Sequence, residues 1–133
     1  SWPGWRVPAD PTVPERPRDR LGRPLPWDGE GFPGVEQRAE ISAGQAIAEA
    51  RAYLDRGLPF HAHEVLEMRW RCCPAHERPL WQGLAQAAAG LTHAARGNEE
   101  GHRRLSERAR VTITAYADPL SDDVRALIDM LLS

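Results

Sequence analysis

The chain has 133 residues, a length that fits one domain with a single modest core. Its 17 basic residues are all arginine and are opposed by 19 acidic residues, so the formal charge of −2 predicts neither a nucleic-acid nor an anionic-lipid partner. No apolar run reaches the roughly 18 residues that span a bilayer. Because the first ten residues also lack the basic-then-apolar pattern of a secretion signal, we expect a cytoplasmic protein without membrane contact.

Residues 1–35 are unusually rich in proline and tryptophan, with eight of the twelve prolines and three of the five tryptophans. Proline fixes φ and lacks an amide donor, so this stretch should be extended, with turns at its glycines. Tryptophan gains most by docking on a surface, which favours an arm that wraps the body over a flexible tail. We predict that Leu25 and Trp27 anchor this arm and that Arg18 or Asp19 makes a polar contact.

Residues 36–133 predict a bundle of five helices that forms the second part of the chain. The predicted ranges are about 36–56, 59–73, 76–96, 99–115, and a fifth helix capped by Ser121 or Asp118 that runs to the C terminus. Pro59 suits the first turn of a helix, whereas Gly57 and Gly97 are typical of the residue after a helix end. No segment alternates with period two, so the predicted fold class is all-α, a compact bundle preceded by an extended arm.

Two of the predicted helices carry polar side chains on otherwise apolar faces. Residues 79–95 contain no formally charged side chain, and Gln82, Gln86 and His93 fall within roughly 40° of one another around the helix axis. On the preceding helix, His63 and Glu67 are four residues apart and therefore lie on adjacent turns.

We expect these two helices to pack antiparallel across the short turn between them. This packing would bring the five polar residues into one cluster, since a partly buried histidine or glutamate needs hydrogen-bonding partners. The predicted members are His63, Glu67, Gln82, Gln86 and His93. His61 and Glu64 point away from this predicted cluster.

The cluster has three interpretations. It could be a structural polar network that fixes the helix register. It could be a small-ligand or enzymatic pocket in which His63 or His93 is the acid or base and Glu67 orients it. It could hold a divalent transition metal through His63, Glu67 and His93, although the spacing is not that of H-E-x-x-H. No nucleophile, cofactor loop or oxyanion motif specifies a reaction, so the sequence leaves open whether the protein is an enzyme.

The sequence resembles a known family across about residues 45–110. The motif residues are FHAHEVLE at 60–67, Trp70, ERPLWQGLAQ at 77–86, His93 and RGN at 96–98. They are similar to the bacterial and archaeal family of uncharacterised proteins called domain of unknown function 309, and residues 17–26 are similar to the lead-in of actinobacterial members. The resemblance implies a compact multihelical bundle and brings no activity, cofactor or substrate with it.

The sequence therefore predicts a small helical-bundle protein whose His/Glu/Gln cluster binds a small ligand or stabilises the bundle. The alternative is an interaction module that uses the arm and the helical hairpins to hold a protein partner or a second copy of itself. A pocket walled by the cluster would favour ligand binding, whereas a sealed cluster beside an exposed apolar groove would favour the interaction module.

Overall fold

The computed structural model describes residues 16–133, which form five α-helices. The helices are α1 (Ala43–Asp55), α2 (Pro59–Cys72), α3 (Arg78–Ala95), α4 (Glu99–Thr114) and α5 (Asp122–Leu132), with a 3-10 turn at Ala75–Glu77 between α2 and α3. The described part of the chain contains one isolated β-bridge, Arg18 with Pro24, and no strand. The predicted all-α fold with five helices is confirmed, while Trp2 and Trp5, two of the three tryptophans of the predicted arm, lie outside the described residues.

The first helix begins later than predicted, at Ala43 rather than near residue 36. Ser42 and Gln45 form a reciprocal capping box: Ser42 Oγ accepts from the Gln45 amide at 3.1 Å, and Gln45 Oε1 accepts from the Ser42 amide at 3.0 Å. The segment before the cap is held instead by an ion pair between Arg38 and Glu49, with both guanidinium amino groups on the carboxylate. The predicted cap at the start of α5 is Ser121, whose Oγ accepts from the Val124 amide.

Helix α2 is the centre of the fold. Every residue from 59 to 68 is buried, because α1 and α3 pack against the helix and the N-terminal segment covers its first turn. Four of these buried side chains are polar or charged: His61, His63, Glu64 and Glu67. Because residues 59–68 have no exposed position, their polar groups must be satisfied within the protein.

Helix α3 is buried over residues 83–90, as its lack of charged side chains predicts. It packs tightly against α4, where Gly83 leaves no room for a Cβ atom beside Ile113. The small residue therefore sets the distance between these two helices. No described helix is both long enough and apolar enough to cross a membrane.

Residues 16–35 form a looped arm against the ends of α2 and α3. Backbone hydrogen bonds close the loop, from Leu25 N to Pro17 O at 2.7 Å and from Phe32 N to Arg18 O at 2.8 Å. The arm docks through backbone groups. Gly22, at a φ of +78°, packs directly on the Phe60 ring, and the Leu21 carbonyl accepts two hydrogen bonds from the Arg96 guanidinium.

Trp27 is not the anchor that the sequence suggested, because it is 65% exposed. It lies in a tight turn closed by a 2.8 Å hydrogen bond from Gly29 N to Pro26 O. Leu25 is half-buried. Of the two predicted polar residues, Arg18 reaches α2, with its guanidinium carbon 5.8 Å from the centre of the Phe60 ring. Asp19 instead stabilises the loop itself.

Candidate functional site

The predicted pair on α2 is in place and is sealed from solvent. His63 Nε2 lies 3.1 Å from Glu67 Oε2, and the two side chains are 0% and 5% exposed. Glu67 Oε1 accepts from Arg71 Nη1 at 2.9 Å, and Arg71 Nη2 donates to Gln37 Oε1 at 3.2 Å. These four residues, here called the α2 network, connect a fully buried imidazole to the protein surface. The arrangement has the features of a structural network, because the buried carboxylate is matched by an arginine that remains partly solvated.

The remaining members of the predicted cluster lie on α3 and are less closely connected. Gln86 is buried, and its Oε1 atom has no hydrogen-bond partner within residues 16–133. Gln82 is half-buried. His93 lies near the C-terminal end of α3, where its Nδ1 is 3.1 Å from Asn98 Nδ2. Burial, and to a smaller extent the nearby Arg96, lowers the pKa of His93. A single five-residue cluster stays a prediction.

The predicted metal set of His63, Glu67 and His93 does not come together. Among residues 16–133 no three histidine, cysteine, aspartate or glutamate side chains are grouped closely enough to hold a metal ion. His63 and Glu67 approach each other because they are one turn apart on one helix, whereas His93 contacts Asn98 in the connection between α3 and α4.

A second polar pair on α2, His61 and Glu64, faces the arm. The imidazole of His61 is 3% exposed, and its Nε2 lies 2.7 Å from the Pro33 carbonyl oxygen. A carbonyl oxygen can only accept, so Nε2 carries the proton of this hydrogen bond. The other ring nitrogen, Nδ1, is buried and has no hydrogen-bond partner within the described chain. The ring is held from the side by Phe32, edge to face, with 5.3 Å between ring centres.

The space between the arm and α2 is a cavity of about 220 Å³, here called the arm–helix cavity. Its polar and aromatic lining comes from both sides: Arg16, Arg18, Asp19 and Phe32 on the arm, and Phe60, His61 and Glu64 on α2. The sequence analysis did not identify His61 and Glu64 as a site. The sequence does show the three-residue spacing of His61 and Glu64 and the arginines of the arm. Only the docking of the arm on α2 brings these residues to one cavity.

The charges around this cavity are distributed between its walls. The arm contributes the arginines, and α2 contributes the carboxylate of Glu64, whose residue is 8% exposed. Asp19 is already engaged: its Oδ1 accepts from the amides of Leu21 and Arg23, and its Oδ2 accepts from the Arg23 guanidinium. Burial alone would raise the pKa of Asp19, but the hydrogen bonds from the backbone and side chain of Arg23 outweigh it and lower the pKa. Asp19 therefore stays ionised and shapes the loop.

Comparison with known families identifies the central part of the chain. A family model described as domain of unknown function (DUF309) matches residues 47–105, from within α1 to within α4. No curated protein and no solved structure matches the chain. The α2 network residues His63, Glu67 and Arg71 lie in the matched stretch, as do His61 and Glu64, whereas the arm precedes it. The resemblance noted in the sequence is confirmed over residues 47–105, the stretch that the DUF309 family model matches.

Proposed function

We propose that the protein binds a small polar metabolite in the arm–helix cavity. One observation carries this proposal: His61 is buried beside the cavity with Nε2 fixed by Pro33 and Nδ1 without a hydrogen-bond partner. A buried polar atom left without a partner costs about 1–3 kcal/mol, and such atoms in native proteins call for an explanation. A ligand that donates a hydrogen bond to Nδ1 would remove this cost.

The other walls of the cavity suit a small ligand. Phe32 and Phe60 supply apolar surface, and a few polar groups converge between them, the usual composition of a metabolite site. The volume of about 220 Å³ lies below the roughly 300–1,000 Å³ of sites for drug-sized molecules, which limits the ligand to a compact metabolite. The described residues that line the cavity include no serine, threonine, cysteine or lysine, so the proposal is binding and not hydroxyl or thiol nucleophilic catalysis.

In this proposal the α2 network has a supporting role. Arg71 joins Glu67 to Gln37, which lies in the segment between the arm and α1 and also lines the cavity. The network thereby ties the buried core of α2 to one edge of the arm–helix cavity. Residues that hold a binding site in position by hydrogen bonding improve the fit of that site for its ligand.

Thermal unfolding of the full chain tests the proposal. The parent protein is unfolded with each member of a panel of small carboxylic acids, amines, amino acids, sugars and nucleosides. A ligand at about 100 times its Kd stabilises the folded state by about 2.7 kcal/mol, which raises the unfolding temperature by several degrees. A panel without any stabilising compound would overturn the proposal.

Two histidine variants distinguish binding in the cavity from general effects of replacing a histidine. His61→Phe keeps the ring but removes both nitrogens and should abolish the stabilisation by the ligand. His76→Phe is the matched control, because the His76 side chain is 63% exposed and lies in the turn between α2 and α3. A ligand effect that persists in His61→Phe would place binding elsewhere on the protein.

The alternative of self-association has one supporting feature, an apolar groove of about 360 Å³ between α4 and α5. Ile113, Leu120, Ile128 and Leu132 line it. Sedimentation equilibrium over a hundredfold range of protein concentration tests this alternative, with Ile128→Asp as the variant that should dissociate a dimer. A monomer at every concentration would exclude it.

A further inference from the structure

We infer that residues 16–35, the arm, form a lid on the arm–helix cavity that opens while the five helices stay folded. The hydrogen bonds from Arg96 to the Leu21 carbonyl oxygen set how often this lid opens. The opening is a property of the chain alone, whereas the use of the lid in ligand exchange rests on the proposed function.

The arm is packed much less deeply than the helix that it covers. Within residues 16–35 only Gly22 is buried, whereas every residue from 59 to 68 of α2 is buried. Buried apolar area is the main source of stability, and a segment with little of it opens at a smaller free-energy cost than the core. We therefore expect the arm to leave α2 more often than the bundle unfolds.

The arm is also closed on itself, which lets it move as one unit. Hydrogen bonds from Leu25 N to Pro17 O at 2.7 Å and from Phe32 N to Arg18 O at 2.8 Å join its earlier residues to its later ones. Both bonds lie within the arm, so neither has to break when the arm leaves α2. The opening then disrupts only the contacts between the arm and the helices.

Arg96 holds the arm at a point outside the cavity. Its Nε and Nη2 donate to the Leu21 carbonyl oxygen at 3.0 Å and 2.8 Å, and Arg96 is not among the residues that line the cavity. Hydrogen bonds from a guanidinium are stronger than those between neutral groups, so the loss of this pair should raise the open fraction of the arm about tenfold. Arg96 is therefore a positioning residue, which acts on the cavity through the arm.

The arm covers His61 directly, so the accessibility of this side chain reports the position of the arm. The Pro33 carbonyl oxygen lies 2.7 Å from His61 Nε2, and the Phe32 ring packs against the same imidazole. Both groups belong to the arm and leave with it. A ligand that touches both walls would bind only the docked arm, and would enter and leave while the arm is open.

Chemical modification of His61 in the full chain measures the opening without a ligand. Diethyl pyrocarbonate transfers a carbethoxy group to an unprotonated imidazole nitrogen, and mass spectrometry of peptides identifies each modified histidine. His76, whose side chain is 63% exposed, provides the rate for an accessible imidazole. We expect His61 to react more slowly than His76 by a factor of about ten or more, because only the open fraction reacts. Equal rates would show that the arm does not close the cavity.

Low urea concentrations distinguish the opening of the arm from unfolding of the bundle. Urea favours an opening more strongly when that opening exposes more surface. Below the unfolding transition, urea should leave the His61 rate nearly unchanged while it accelerates amide hydrogen exchange at the buried residues Leu84 and Ala88 of α3. An equal acceleration of both processes would show that His61 becomes accessible only when the bundle unfolds, which would overturn the inference.

Two variants that release the arm from different sides test the role of Arg96. Arg96→Gln and Gly22→Ala should each raise the His61 rate about tenfold and leave the His76 rate unchanged. Arg104→Gln, at an exposed position of α4, is the control that should change neither rate. If His61 reacts at the parent rate in both variants, the reagent reaches it without movement of the arm and the lid is excluded. An increase in Gly22→Ala alone would overturn the role of Arg96.

These measurements separate the inference from the proposed function, because they need no ligand. If a compound of the panel binds, stopped-flow mixing with that compound tests the use of the lid. Arg96→Gln should then speed association and dissociation alike, about tenfold, because both pass through the open arm. A variant that merely damaged the site would speed dissociation alone. Rates equal to those of the parent would overturn the use of the lid in ligand exchange.

Discussion

His63 and Glu67 form a contact inside α2 that almost no solvent reaches, with 3.1 Å between Nε2 and Oε2. The second oxygen of Glu67 accepts from Arg71, whose side chain is 28% exposed. The carboxylate is thus held between an imidazole at the core and a guanidinium at the surface. The cost of removing this carboxylate from water is offset by two partners on the same face of α2. His63 lies one turn before Glu67, and Arg71 lies one turn after it.

This arrangement predicts that the contribution of Glu67 to stability comes more from its shape and hydrogen bonds than from its charge. Glu67→Gln keeps the shape of the side chain and a carbonyl oxygen that can accept from Arg71 or from His63, and should change the free energy of unfolding by less than about 1 kcal/mol. Glu67→Ala removes the contacts with His63 and Arg71 and leaves an empty space where the side chain was. It should therefore lower the free energy of unfolding by about 2–4 kcal/mol. Urea unfolding monitored by circular dichroism measures both values. Equal losses in the two variants would show that the negative charge itself is required.

The docked arm predicts unequal effects of two changes in the N-terminal segment. Deleting residues 1–35 removes the Pro33 carbonyl from His61 and uncovers the Phe60 ring, so the unfolding temperature should fall by several degrees. Trp27→Ala should change the free energy of unfolding by less than about 0.5 kcal/mol, because the side chain is 65% exposed. Differential scanning calorimetry compares the two. A large effect of Trp27→Ala would contradict the docking through Gly22 and Leu21.

Gly22 is predicted to be the least replaceable residue of the arm loop. A Cβ atom there would clash with the Phe60 ring, and the φ of +78° strains any other residue. Gly22→Ala should therefore release the loop and make it sensitive to protease, with a loss of about 2–4 kcal/mol from backbone strain and overpacking together. Gly34→Ala is the matched control in the same segment, because nothing lies within 4 Å of the added atom. Equal protease resistance of the two variants would argue against this contact.

Glu77 stabilises the folded state by an amount that depends on pH. Its Oε1 accepts from Trp81 Nε1 at 2.8 Å and from Arg69 Nη2 at 3.0 Å. Burial alone would raise the pKa of Glu77, but these hydrogen bonds outweigh it and hold the pKa below its usual 4.5. A carboxyl group with a lowered folded pKa stabilises the fold above its unfolded pKa and loses this contribution as the pH falls through the folded value.

We therefore expect Glu77→Gln to lose less stability than the parent between pH 7 and about pH 3. Trp81→Phe removes one of the two donors and should flatten the same pH dependence in part, while its loss of packing affects both pH values alike. Urea unfolding at a series of pH values gives the difference directly. A parallel pH dependence in parent and Glu77→Gln would exclude this role.

Local signals in the sequence predicted most of the helix boundaries. Gly57 and Gly97 follow helix ends with φ values of 71° and 83°, and Pro59 opens α2. The start of α1 was predicted incorrectly, because residues 36–40 have the composition of a helix. The capping box that begins at Ser42 determines the start instead.

The candidate site was only partly predictable, for a physical reason. The contact between His63 and Glu67 depends on spacing along one helix, which the sequence displays. The arm–helix cavity depends on the arm returning to α2, and that contact is made by Gly22 against the Phe60 ring and by the Pro33 carbonyl on His61. Composition draws attention to Trp27, whereas a close backbone approach at Gly22 leaves no comparable pattern in the sequence.

The enclosure of α2 also determines where this protein tolerates sequence variation. A surface helix such as α4 tolerates many substitutions at its exposed positions and few at its buried ones. Its tolerance of substitution therefore varies with the helical repeat. Residues 59–68 have no exposed position, because this stretch packs against α1 and α3 and faces the arm. In a library that samples every residue, this stretch would stand out as an unbroken block of low tolerance, and the compensating changes would lie in the neighbouring elements rather than in α2.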